Sequence, residues 1–190
     1  KPVVAYQRIH QALQHVVVGV VCDQKGDLGL STVAAELSPL LRRTDDPAWR
    51  DHSLQMLALI YLAQRQHQTA LSSRLLRENA QVFESQRSPV VAKWHRLVQA
   101  MEHLQEGRAD AAVAAIQPML DGSEPLQAHV VLLEAHRLLG DAAAAGREQR
   151  WLADHRGQAI AELMAMKVLQ PLNVHDVAGA GAPAVAAGAG

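Results

Sequence analysis

Ten histidines and nineteen acidic side chains in 190 residues make metal binding the first chemistry to test. A helical zinc site needs two imidazoles one turn apart, at i and i+4, so that both reach one ion. The stretch "HVVLLEAH" (His129 to His136) sets Glu134 between two histidines, but seven residues of helix span about 10 Å. His10 with His15, and His95 with His103, miss the spacing as well. The histidines are therefore expected at the surface or its boundary, making ordinary hydrogen bonds, with no metal. For nucleophilic catalysis the only thiol is Cys22, and a reactive thiolate needs an exposed, electropositive setting. Cys22 instead ends the most apolar stretch of the chain, "HVVVGVVC", and reads as buried and inert. The neighbours Asp45 and Asp46 stand beside Pro47 and read as helix capping rather than an acid–base couple. No Walker A segment occurs, and the glycines of "AGAGAPAVAAGAG" follow no strand that could aim them at a phosphate. The expectation is a chain that is not an enzyme, with no catalytic residues and no cofactor.

Composition points the same way. Aromatics are 3% of the chain and apolar residues 49%, many of them Ala, Leu and Val, a balance that suits packed helices better than a β-sandwich. The expected class is all-α. A net charge of −1 lacks the basic footprint of nucleic-acid binding. One cysteine excludes a disulfide framework within the chain, and the default location is cytoplasmic. The apolar run before Cys22 is too short to cross a membrane and lacks the basic flank of a secretion signal. Its stripe of Ile9, Ala12, Leu13, Val16 and Val20 reads as a helix over about 4–22, with a strand as the competing reading for so many β-branched valines. One domain is expected over 1–170 and a disordered Ala/Gly-rich tail over 171–190. The chain opens with Lys1, so attached domains outside it are part of the expectation.

These side chains must be positioned by the elements between the ends, where the punctuation is regular. "KGDLGLS" (Lys25 to Ser31), "EGRADAA" (Glu106 to Ala112) and "LGDAAAA" (Leu139 to Ala145) each place Gly after a helical stripe, the signature of a left-handed helix end. Four antiparallel pairs follow: about 4–22 with 28–43, 48–64 with 67–84, 89–106 with 109–121, and 125–139 with 142–155, closed by a helix over about 157–170. Within three pairs a small residue recurs twelve positions on: Gly19 and Ser31, Ala58 and Ala70, Ala100 and Ala112. Small residues let helices approach closely, and the second members continue to Ala145. "AELSPLL" (Ala35 to Leu41) and "AAIQPML" (Ala114 to Leu120) echo each other, each with a proline that should kink or end its helix.

Small residues twelve apart around a turn, with Leu54, Leu57, Ala58, Tyr61 and Ala70 in the second unit, resemble the tetratricopeptide repeat over roughly residues 10 to 155. Leu133 stands where a small residue is expected, and Trp94 lies about two positions out of frame. The resemblance implies antiparallel helix hairpins stacked as a right-handed superhelix whose concave side, lined by first helices, holds a peptide or another protein. A second stretch, "WLADHRGQAIAELMAMKVLQPLNVHD" (Trp151 to Asp176), resembles the repeat region attached to nucleotide cyclases of bacterial peptide-modification systems. The expected function is a protein- or peptide-binding scaffold within a larger bacterial regulatory protein, with no nucleic acid and no membrane as partners. The alternative is a ligand-sensing domain controlling an attached cyclase or DNA-binding domain. Candidate binding residues are His52 and Gln55 in the second unit and Trp94, His95, Gln99 and Glu102 in the third. Turn alignment points Trp94 and Leu97 inward to a ligand, whereas the apolar stripe makes them core and leaves His95, Gln99 and Glu102 exposed. A minor DNA-binding reading of "LSTVAAELSPLLRR" (Leu30 to Arg43) stands against Pro39 and the absent basic face.

Overall fold

A computed structural model describes residues 29–155, together with Gln11 as a helical position. The expected helices over 4–22 and 157–170, Gly19, Cys22 and the Ala/Gly-rich tail lie outside the described residues. Among those described there are seven α-helices, one 3-10 turn and no strand: α1 (Leu30–Leu41), α2 (Trp49–Arg65), α3 (Thr69–Ser85), α4 (Pro89–Gln105), α5 (Ala109–Ile116) followed by the 3-10 turn Gln117–Met119, α6 (Leu126–Leu138) and α7 (Ala142–Asp154). No helix among the described residues is long and apolar enough to cross a membrane.

Three connections share one geometry. Each is three residues long, and the middle one lies in the left-handed region: His67 at φ 57°, Gly107 at 75° and Gly140 at 72°. In each, the next amide donates five residues back, Gln68 to Ala63, Arg108 to His103 and Asp141 to His136, at 2.9, 2.8 and 2.9 Å. The left-handed residue itself donates three residues back, to Gln64, Leu104 and Arg137. This pair of bonds ties up the carbonyls that a helix end otherwise strands. Gly107 and Gly140 were legible as turns; His67 was not, since a β-carbon is disfavoured there.

Counted from these turns, the small-residue column moves. Ser31 and Ala70 are exposed. The buried small positions are the fourth residues of their helices, Ser72, Ala112 and Ala145, with Val33 at the same place in α1. The twelve-residue count lands two positions early in the second unit because the turn that would set its frame carries no glycine. Ala58 and Ala100 are both buried, but in the turn frame Ala58 matches Val98 and Val131, while Ala100 matches Ile60 and Leu133.

A proline stands at or near the end of both α1 and α5. The α-helical part of α5 stops at Ile116, and Pro118 sits in the 3-10 turn, where a missing N–H costs little. Pro39 lies inside α1, which ends two residues later. The freed Leu41 carbonyl accepts from Trp49 Nε1 at 2.9 Å. α1 runs without a break, so this segment holds no helix-turn-helix of its own. Asp46 makes no cap bond to the first turn of α2; its Oδ1 accepts from the amide of Ala48, the residue before the helix, at 2.8 Å.

Among the described residues, substantial helix contacts join chain neighbours or next-but-one neighbours: each helix packs on the following one, and α2 with α4, α4 with α6 and α1 with α3 also touch. One continuous core results, from Leu30 through Met56, Leu57, Phe83 and Leu97 to Val131 and Ala135.

Candidate functional site

The repeated turns bring matching positions to one place. Gln64 and Arg65 end α2, Leu104 and Gln105 end α4, and Arg137 and Leu138 end α6; with His67, Met101 and Glu134 these nine residues line a groove of about 480 Å³. Its volume falls in the range of ligand sites, about 300–1,000 Å³. Each pair stands third and second before its turn's left-handed residue.

Hydrogen bonds fix the polar wall. Gln64 Nε2 donates to the Val98 carbonyl at 2.8 Å, and Gln105 Nε2 donates to the Gln64 carbonyl at 3.0 Å. Because each amide nitrogen is spent on a carbonyl, the oxygens are identified as well. Gln64 Oε1 and Gln105 Oε1 are buried with no partner. Arg65 Nη1 meets Glu134 Oε1 at 2.7 Å across the groove. Burial opposes the charge on Arg65, but the Glu134 hydrogen bond together with the charges of Tyr61 and Glu134 outweighs this and raises the guanidinium above its ordinary value. Below this rim lie Met101 and Leu104; Leu138 is 65% exposed.

The sequence candidates lie elsewhere. His52 and Gln55 are buried in α2, with His52 Nδ1 and Gln55 Oε1 3.3 Å apart. Trp94 is buried core, edge-on to Tyr61 with ring centroids 6.1 Å apart, and Leu97 is fully buried beside it in sequence. His95, expected to be exposed, is also buried; it lies against Phe83 at 5.2 Å. Burial lowers its pKa, with Glu84 opposing and Arg96 reinforcing the shift. Only Gln99 and Glu102 are half-exposed. None of the six lines the groove. For the four on α4 the physical reason is that this helix touches α2, α3, α5 and α6, so most of its circumference is covered. The groove residues carry no catalytic or aromatic signature. Their signal is position relative to the turn, which is lost where His67 replaces glycine.

A second cluster surrounds His129. Its Nδ1 meets Glu148 at 2.7 Å and its Nε2 meets Glu124 at 3.2 Å. The ring stacks on Trp151 at 3.5 Å, and Trp151 stacks in turn on His155 at 3.8 Å. Burial would raise the Glu124 carboxyl, but hydrogen bonds from its own amide, His129, Gly122 and Asp121 bring it below the usual value. Nearby, Lys93 Nζ meets Asp121 at 2.6 Å and also bonds Ser123; Lys93 and Ser123 hold the Asp121 carboxyl down to about 2. These bonds fasten the loop before α6 to α4 and, through His129 of α6, link it to α7. Among the described residues no group of three His, Cys, Asp or Glu is placed to hold a metal ion. The chain matches no protein-family model, no curated protein and no solved structure.

Proposed function

We propose that the chain is a protein- or peptide-binding module, built of antiparallel helix hairpins in a right-handed, tetratricopeptide-like superhelix, and acting by complementarity rather than chemistry. The observation that carries this is the groove itself: the same two turn-relative positions from α2, α4 and α6 line it, as expected where successive repeats each contribute one stripe of a shared surface. Among the described residues helix packing is mostly between near neighbours along the chain, which supports the stacked arrangement. An exposed leucine at the groove's edge, Leu138, favours a macromolecular partner, since isolated ligand sites bury their apolar lining.

The alternative, a ligand-sensing regulatory domain, is favoured by the groove's volume alone. The test is affinity capture with the full chain and with Leu138→Asp, followed by native mass spectrometry. The expected result is a polypeptide retained by the parent and lost by the variant, which keeps its fold because Leu138 is solvent-exposed. Retention of a small molecule of fixed mass, with no polypeptide, would establish the sensing reading instead.

A further inference from the structure

We infer that the groove takes an uncharged, extended polypeptide segment whose main-chain N–H groups bond Gln64 Oε1 and Gln105 Oε1, while its apolar side chains cover Met101, Leu104 and Leu138. This rests on the peptide-binding reading above and adds the chemistry of the partner.

The starting point is an imbalance. Gln64 is 2% exposed and lines the groove, yet its Oε1 has no donor. Gln105, forty-one residues on, is only half-buried, but its Oε1 is likewise buried and without a donor. A buried acceptor without a donor is costly to maintain, and two in one groove mark the place where a ligand supplies N–H or O–H groups. Both oxygens are held in position, because Gln64 is anchored to Val98 and Gln105 is anchored to Gln64. Both oxygens have almost no accessible surface, so a ligand donor reaches them only as the groove side chains over them give way.

Charge narrows the donor. Arg65 and Glu134 neutralise each other across the groove, and Arg137 stands exposed at its rim. An ammonium or guanidinium placed on the two oxygens would face Arg65 and Arg137. A neutral donor meets no such repulsion. Met101, Leu104 and Leu138 require apolar groups beside that donor, and the Arg137 guanidinium offers bonds to carbonyl oxygens. Neutral N–H groups, carbonyls and apolar side chains in one ligand describe an extended polypeptide backbone.

The test begins by selecting binders to the full chain from a displayed library of random peptides. The tightest is resynthesised with one main-chain nitrogen methylated at a time, which removes a donor and keeps the side chains. Expected are peptides rich in apolar residues and poor in Lys and Arg, with affinity falling roughly tenfold at one or two methylated positions. Gln105→Met, checked by circular dichroism for an unchanged fold, should weaken the parent peptide by a similar factor. It should cause no further loss for the peptide methylated at the matching nitrogen. Selected peptides that bind Leu138→Asp as tightly as the parent, that ignore both methylation and Gln105→Met, or that are basic would overturn the inference and leave the peptide-binding reading standing. Failure to enrich any peptide overturns both.

Discussion

At the scale of single residues, His67 is the exception that hides the repeat. It occupies the left-handed position taken by Gly107 and Gly140 in the equivalent turns, where an L side chain is strained by about 1–2 kcal/mol. His67→Gly is therefore expected to raise stability by about 0.5–1 kcal/mol in urea denaturation, after allowing for glycine's looser unfolded state. A β-carbon at Gly107 would meet no atom within 4 Å, so Gly107→Ala should cost about 1 kcal/mol through backbone strain alone. His95 gives a pH test. Its buried ring takes a proton less readily than in the unfolded chain, where the value is about 6.5. Between the folded and unfolded values the unfolded state binds more protons, so stability from this group rises with pH through that window and is full above about 6.5. Acidification from about pH 7.5 to about pH 5 should destabilise the parent more than His95→Leu, read as the difference in urea midpoints. A smaller loss in the parent would contradict the burial of His95.

At the scale of elements, helix boundaries were legible because apolar stripes and glycine turns agree: α4, expected over 89–106, is Pro89–Gln105. Register within the units was not legible. Alanine is common enough that Ala70 and Ser72 offer equally plausible small positions, and only the backbone bonds of the His67 turn choose Ser72, whose amide donates to the Gln68 carbonyl as Ala112 does to Arg108. The mutational expectations follow the corrected register. Ala112→Leu, at a fully buried position, should overpack the core and cost roughly 1–3 kcal/mol. Ala109→Leu should behave alike, since Ala109 is also buried. Exposed Ala70 should accept leucine within about 0.5 kcal/mol. A costly Ala70→Leu with mild changes at Ala109 and Ala112 would restore the twelve-residue count. Proline also explains the unequal repeat length. The turns at His67 and Gly107 are 40 residues apart, those at Gly107 and Gly140 only 33. Pro118 clips α5 to eight residues where α3 has seventeen. Nothing in the sequence around Gln64 and Gln105 marks the groove, because their importance is a bond left unmade, which no residue type announces.

At the scale of the molecule, packing mainly between near neighbours is expected to make stability sectional. A cavity cut in α6, by Leu132→Ala, is expected to speed amide exchange in α6 and α7 while leaving protection in α2 unchanged. Uniform loss across all helices would show a single cooperative unit instead. The Arg65 and Glu134 pair joins α2 to α6 across α4, but both side chains are 38% exposed. Solvent screening should hold their coupling in a double-mutant cycle below about 1 kcal/mol. The three tryptophans of the chain fall in three different sections: Trp49 with its indole nitrogen tied to Leu41, Trp94 buried edge-on to Tyr61, and Trp151 sandwiched between His129 and His155. Their indoles thus meet a carbonyl, a perpendicular phenol ring and two imidazole faces, surroundings distinct enough to set different emission colours and lifetimes. The protein carries its own optical markers, one near each end of the described helices and one in the middle. Keeping one tryptophan at a time would turn a single fluorescence trace into a record of which section opens first.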